Sequence, residues 1–430
     1  MRNRPFPSSG IHLPLITFLL LVASCGGGRK VSSPMEPEPL RYATNLTCER
    51  GDGFSVWTLR DPWDTTQVLH RYILIPNQDQ DPPPALPVRE GVVTCDSGEM
   101  CSNSCDADAC SEHSTPSLQG RAGSGSSVIK VPVRSAGVAT AVHCGLLDEL
   151  GVASAIAGVC EKEYIDLPAV TEGLAAGRIA DFGNGMNPNI ERIMDVAPDI
   201  LMLTPFEHSG GYGRVERLGI PIIECAEYME VSPLARAEWI RFYAELFGAE
   251  AVADSIFSAV ESNYLELKEK VSAKTSSLQG DARHAERVLP TLLTEMLYGG
   301  QWFVPCGQST MGMMFADAGA DYLFADRPGS GSTALAFETV LDCAADADVW
   351  LVKYNSAQPL TYRQLAADYQ PYTRFRAFRE HHIWGCDLAR NHFYEETPFH
   401  PDRLLRDLII IAHPELMPGD TTTYYKPLQE

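Results

Sequence analysis

At roughly 150 residues per domain, a chain of 430 residues holds two domains plus accessory sequence and is long enough to bury a sizeable core. A hydrophobic fraction of 45% with 21% charged residues excludes wholesale disorder, a collagen-like chain and a polytopic membrane protein. Lys plus Arg number 34 against 56 Asp plus Glu, a net charge of −22 that repels phosphate backbones, so nucleic acid is not an expected partner.

In chain order, Arg2 and Arg4 precede an apolar stretch over 11–22, which is shorter than the about 20 residues of a membrane span and reads as the core of a signal peptide. The stretch ends in Leu21-Val22-Ala23-Ser24-Cys25, where small residues before a cysteine resemble a bacterial lipoprotein cleavage site, with Cys25 the lipidated residue. A plain signal peptide with a chance cysteine is the other reading. Residues 1–24 are then the signal and 25–40 a tether, flexible at Gly26 to Gly28 and rich in proline at Pro34, Pro37 and Pro39.

Within 41–127, Phe54 to Leu59 and His70 to Pro76 are β-rich runs separated by Asp61-Pro62-Trp63-Asp64, which predicts a hairpin with a longer loop. An insertion follows, carrying Cys95, Cys101, Cys105 and Cys110 near His113. Thiolates at that density suit a soft metal, but the spacings are irregular, and a disulfide-linked or disordered insertion fits as well.

From Val128 onward, short apolar strands alternate with helices. Strands are predicted near 128–134, 155–159, 199–204 and 220–224, with helices near 139–150, 189–197 and 212–218. After 273 the pattern repeats, with strands at 287–295, 348–352 and 382–386 and helices at 310–319, 337–345 and 401–412. Such alternation predicts an α/β protein of two lobes, 128–231 and 273–430, with mainly parallel sheets. Residues 232–272 carry no strand pattern and split into two helices at Gly248. The second has Val252, Ile256, Val260, Tyr264, Leu267 and Val271 along one face, and over 249–271 it is roughly 35 Å long, enough to join the lobes as a strut permitting small hinge motions.

Chemical signatures of catalysis are missing from the sequence. There is no G-x-x-x-x-G-K-[ST], since Gly329-Ser-Gly331-Ser-Thr333 lacks the lysine, and no H-E-x-x-H or G-x-S-x-G. His381 and His382 begin a β-like run that turns adjacent side chains to opposite faces, so the pair is read as structural or solvated. Two segments stand out, 181–205 and 335–352, each placing one glutamate, Glu191 or Glu338, at the start of a helix followed by a turn and a strand. Physics alone accounts for such a glutamate by favourable interaction with the helix dipole.

Taken in order with Ser232-Pro-Leu-Ala-Arg236-Ala-Glu238-Trp239, Trp302-Phe-Val-Pro305-Cys-Gly307-Gln-Ser309-Thr and His400-Pro-Asp402-Arg-Leu-Leu-Arg-Asp407, these segments resemble the periplasmic substrate-binding lipoproteins of ABC importers for iron complexes, haem and vitamin B12, the class with a backbone helix between its lobes. The resemblance spans 128–417; Cys306, where the pattern has glycine, and the 94–127 insertion depart from it. It implies that Glu191 and Glu338 dock onto arginines of a membrane permease, that a siderophore, haem, corrinoid or related chelate is held between the lobes, and that the protein is a lipid-anchored periplasmic carrier and not an enzyme. No resident cofactor is expected. Where strand ends and helix starts converge, the candidate wall residues are His143, Met186, His208, Tyr212, Tyr228, Tyr298 and Trp302, the last with its ring emerging into the cleft. A carrier of bare Zn or Mn built from His143, His208 and Glu295, and a chelatase-like or thiol-dependent enzyme, are the competing readings.

Overall fold

The computed structural model describes residues 35–77, 125–206, 211–279, 289–356 and 358–430; Cys25, the Cys95–Cys110 cluster, His113 and His208 lie outside them. The hairpin expected near 54–76 is there, as β3 (Phe54–Arg60) and β4 (Val68–Pro76). It belongs to a five-stranded sheet with β1 (Glu36–Glu38), β2 (Leu46–Gly51) and β5 (Gly125–Val131) in the order β1-β2-β3-β4-β5. Here the sequence reading needs correction, because the run from Val128 is not the first strand of a lobe. It pairs in parallel with β4, Ile73 opposite Val128. Its side chains alternate, Val128 being 52% exposed and Ile129 3%, as on a sheet with one wet face. The first lobe strand is instead the wholly buried Ala136-Gly137-Val138.

Lobe one contains β6 (Ala136–Val138), α1 (Ala141–Glu149), β7 (Ile156–Cys160), α2 (Pro168–Ala175), β8 (Ala180–Asn184), β9 (Asn187–Pro188), α3 (Ile190–Val196), β10 (Ile200–Leu203) and β11 (Ile222–Glu224). The sheet order is β11-β10-β6-β7-β8-β9, parallel except for β9. Strand order reverses between β6 and β10, the place where ligands enter open α/β sheets. The predicted helix over 212–218 is one 3₁₀ turn, Glu216–Leu218, while α2 and β8 fall where no element was expected.

Three helices cross to lobe two: α4 (Pro233–Glu238), α5 (Ile240–Phe247) and α6 (Glu250–Gln279). Gly248, at φ +72°, ends α5, as a left-handed cap requires. The strut is longer than the apolar series suggested. Its buried face runs through Ala253, Phe257, Val260, Tyr264, Leu267 and Val271, while Val252 is 43% exposed, because successive fourth positions drift off a face that repeats every 3.6 residues.

Lobe two follows as β12 (Thr291–Thr294), β13 (Leu297–Tyr298), β14 (Gln301–Pro305), α7 (Thr310–Asp317), β15 (Asp321–Tyr322), β16 (Ser332–Leu335), α8 (Phe337–Ala344), β17 (Val349–Tyr354), α9 (Tyr362–Asp368), α10 (Arg376–Arg379), β18 (Ile383–Asp387), α11 (Phe393–Glu396), α12 (Pro401–Ala412) and β19 (Tyr425–Pro427). One sheet, β15-β12-β17-β18-β19, is parallel but for β19; a second, β13-β14-β16, is antiparallel. No helix among the described residues is long and apolar enough to cross a membrane.

Buried carboxylates bind the crossover to the N-terminal sheet. Glu238 accepts the backbone N–H groups of Arg41, Tyr42 and Ala43, each at 2.8 Å. Glu230 accepts from the N–H groups of Thr44 and Asn45 and from Trp239 Nε1, and Glu245 from Arg50, Ser55 Oγ and Trp57 Nε1. Glu238 closes α4 and Glu245 lies on α5, so both crossover helices are tied to the same N-terminal segment. An unmade hydrogen bond at a buried donor costs about 1–3 kcal/mol. Glu238→Ala orphans a run of amides, so it should lower unfolding free energy by about 2–4 kcal/mol in urea titrations, with Glu238→Gln losing less; a variant as stable as the parent would show that water replaces the carboxylate.

Candidate functional site

A cavity of about 670 Å³ opens at the carboxyl ends of the lobe-one strands. Ala139 and Thr140 reach it from β6, Glu161 from β7, Met186 and Asn187 from the β8–β9 turn, Thr204 and Phe206 from β10, and Tyr212 to Val215 from the segment before the 3₁₀ turn. Glu161 stands in the left-handed region at φ +52°, a conformation a non-glycine residue keeps only when its surroundings hold it there. Its Oε1 accepts from Asn184 Nδ2 at 2.9 Å and from the Gly185 N–H at 3.0 Å, which fastens the turn that presents Met186, 70% exposed.

On the far wall, Tyr212 donates its hydroxyl to Glu224. Burial pushes the Glu224 carboxyl up to about 7 against the lowering effect of that bond, with Glu216 adding to the rise. Tyr228 stands behind the wall and donates its hydroxyl to the Pro205 carbonyl at 2.6 Å.

Lobe two packs on lobe one through helices. Helix α1, leaving the carboxyl end of β6, packs on α11, which follows the carboxyl end of β18; a methyl group added at Gly145 would lie 3.1 Å from Glu395 Cβ, and His400 Nε2 is 2.5 Å from Glu149 Oε1. At the strand-order reversal of lobe two, between β12 and β17, Glu295 is left-handed at φ +67° with Oε1 2.5 Å from Lys353 Nζ. Burial pushes the lysine down, but Glu295 outweighs it and the ammonium is held above its usual range. Tyr298, 81% exposed, tips the β13–β14 hairpin, where Gly299 and Gly300 supply the two positive φ angles of a tight turn.

Of the residues singled out from sequence, Met186 and Tyr212 line the cavity, Tyr228 backs it, and Tyr298 is exposed on the other lobe. Two are corrected. His143 is 2% exposed on the core face of α1, with Nδ1 2.6 Å from Thr140 Oγ1 and Nε2 3.4 Å from both Tyr243 Oη and Glu227 Oε2. Burial pushes Glu227 up, but His143, Arg236 and the Tyr243 hydroxyl outweigh it and bring its carboxyl down to about 2. Trp302 is fully buried. Strand alternation in β14 turns it inward and its neighbours Gln301 and Phe303 outward; its Nε1 donates to the Thr294 carbonyl at 2.8 Å, and its ring lies 5.7 Å from those of Trp350 and Phe375.

The cavity residues Glu161, Thr204, Phe206 and Arg214 were missed, although Glu161 and Thr204 are legible as the residues directly after apolar strands. Glu191 and Glu338 are exposed second residues of α3 and α8. Among the described residues no three His, Cys, Asp or Glu side chains are grouped to hold a metal. His381 and His382 are both exposed, His381 stacking on Tyr362 and pairing with Glu430. Cys306 is buried with Sγ 3.3 Å from Thr333 Oγ1.

Two α/β lobes bridged by a long helix, the first hollowed at the order reversal of its sheet, define a two-lobed ligand-binding protein. The pattern described as periplasmic binding protein matches residues 139–388, more than half of the sequence, and the chain belongs to that family. An uncharacterized lipoprotein of Methanocaldococcus jannaschii is 30% identical over 261 residues, 60% of this chain; the chain spans 58% of that relative's length. A periplasmic heme-binding protein of Pseudomonas aeruginosa superposes with a TM-score of 0.54 at 15% identity, covering 69% of this chain and 99% of its own. A molybdate-binding periplasmic protein of Haemophilus influenzae gives 0.51 at 16% identity over 67% and 89%. At these identities the likeness is one of fold.

Because the Glu224 carboxyl is raised in the folded state relative to its ordinary 4.5, the folded protein holds that proton more tightly than the unfolded chain. The stability this contributes is present below about pH 4.5 and lost as pH rises through about 7, on the order of 2 kcal/mol after solvent screening. Urea midpoints of wild type and Glu224→Gln should therefore diverge in favour of the variant between pH 5 and pH 8; a pH-independent difference contradicts the burial effect.

Proposed function

We propose that the protein captures an iron-bearing chelate between its lobes and delivers it to the permease of an ABC importer. The observation that carries this is the cavity itself: at about 670 Å³ it is sized for a small-molecule ligand, it lies at the order reversal of the lobe-one sheet, and the exposed apolar side chains of Met186 and Phe206 offer a surface for a ligand body too large for a bare ion. That one fold neighbour is a heme-binding protein is in keeping with a ligand of this size. A bare Zn or Mn carrier is disfavoured, because His143 is committed to Thr140, Tyr243 and Glu227 and Glu295 to Lys353 on the other lobe. Cargo iron would arrive and leave with the ligand, so no resident cofactor is invoked.

Delivery uses Glu191 and Glu338. Each is the exposed second residue of a short helix, followed one turn later by another exposed carboxylate, Asp195 or Asp342, so each lobe presents an acidic face suited to permease arginines. Lipidation at Cys25, in keeping with the lipoprotein relative, would hold the carrier at the membrane in the periplasm.

The test is transport. Glu191→Lys and Glu338→Lys should each leave chelate affinity within about threefold while cutting importer-dependent uptake, because like charges then face the permease. Undiminished uptake by the double variant contradicts the docking role.

A further inference from the structure

We propose that His400 is a proton-operated latch between the lobes: with both ring nitrogens protonated it ties helix α1 of lobe one to helix α12 of lobe two, and loss of one proton releases the tie. The inference concerns the seam between the lobes and holds whatever the cargo is.

His400 stands at the start of α12, its side chain 8% exposed, between two carboxylates. On one side Nε2 is 2.5 Å from Oε1 of Glu149, the last residue of α1. Two bare acceptors do not approach so closely, so a proton lies between them. On the other side Nδ1 is 3.9 Å from Asp402 Oδ1, an oxygen that is buried and accepts no hydrogen bond from any described residue, whereas Asp402 Oδ2 accepts from Asn263 Nδ2 of α6 at 3.0 Å. A buried, unpaired acceptor calls for a donor, and the group facing it is the second ring nitrogen. With a proton at each contact the ring is a cation between two carboxylates, and one chain of polar contacts runs from α1 through His400 and Asp402 to the strut. With one proton gone, a single N–H serves both carboxylates.

The surrounding charges leave this proton as the variable. Helix α11 brings Glu396, engaged by Arg403 Nη1 and by the Tyr424 hydroxyl, each at 2.9 Å, and Glu395, whose carboxyl burial pushes up. Beside them His392 is exposed and screened by solvent. Helices α4 and α7 also pack on α12, but Arg236, Glu238 and Asp317 there are paired with Glu227, the 41–43 amides and Lys268. From α6, Glu266 and Lys270 line an outer groove with Asp402 and Arg403. Arg403 keeps its charge at every working pH, so losing the imidazolium leaves the seam with an excess of carboxylates.

Helix α1 carries the effect to the cavity. Its N-cap, Thr140, is a cavity wall residue and its other end is Glu149, so its nine residues span roughly 13 Å from wall to latch. The joined seam binds the proton more tightly than the parted one. It is therefore favoured at low pH and loosens as pH rises through the interval in which an imidazole gives up its charge.

Amide hydrogen exchange of the full chain, read by mass spectrometry and divided by the intrinsic rate at each pH, tests this. Protection of α1 and α11 should fall on the order of tenfold between about pH 5.5 and about pH 7.5, while β17 keeps its protection. His400→Gln can still donate to Glu149 but cannot take a second proton, so its α1 and α11 amides should be weakly protected at both pH values; Glu149→Gln should shrink the step. Circular dichroism checks that both variants fold, and if His400→Gln does not, Glu149→Gln, at a side chain 32% exposed, carries the test. A wild-type seam whose protection ignores pH, or a step undiminished in the folded variants, overturns the latch.

Discussion

The structure is organised around three carboxylates withdrawn from solvent. Glu230, Glu238 and Glu245 are buried on the crossover between the lobes, and what satisfies them is a run of backbone amides and side-chain donors from residues 41–57. A buried carboxylate is tolerable only when fully hydrogen-bonded, so the crossover helices and the N-terminal sheet have to fold as one piece. Aromatic packing follows the same seam: the Phe242 ring lies 5.2 Å from both Trp57 and Tyr72. The Tyr72 hydroxyl in turn accepts the N–H of Glu224 at 2.8 Å, on the strand whose carboxylate holds Tyr212 at the cavity wall. The accessory sheet is therefore part of the frame of the binding site.

With the crossover fixed in this way, the two lobes meet through a small set of contacts. Helix α1 lies against α11, Glu149 against His400, and the Tyr243 ring meets Phe399 edge-on at 6.1 Å. Helix α6, at 30 residues, is roughly 45 Å long and packs along α12. Such a strut favours small closures over wide domain swings. A site of this kind gains its selectivity from preformed walls. That makes the left-handed backbones of Glu161 and Glu295 informative: both sit directly after a strand, one on each lobe, and each is tied down by its own carboxylate.

The α/β alternation was legible in the sequence because apolar strands such as Ile200–Leu203 and Val349–Tyr354 are bounded by turn residues, and Gly248 marked the helix break unaided. The misplaced strand at 128–134 shows the limit. Its alternation was visible, but the partner strand β4 is separated from it by the insertion, and nothing local says which sheet a strand joins. His143 and Trp302 were misassigned for a related reason: a histidine or tryptophan suits a ligand wall and a core equally well, and only the direction of its Cα–Cβ bond, set here by the core face of α1 and the register of β14, separates the two.

The proposed carrier role turns on where a bound iron chelate would sit. Crystals of the full chain grown with haemin or ferric citrate and measured at the iron absorption edge locate the metal without reference to any assumed pose. The proposal predicts one anomalous peak in the cavity, beside the strand ends carrying Thr140 and Thr204. A peak on the outer face of either lobe, or at the side of the crossover helix away from the cavity, would contradict it.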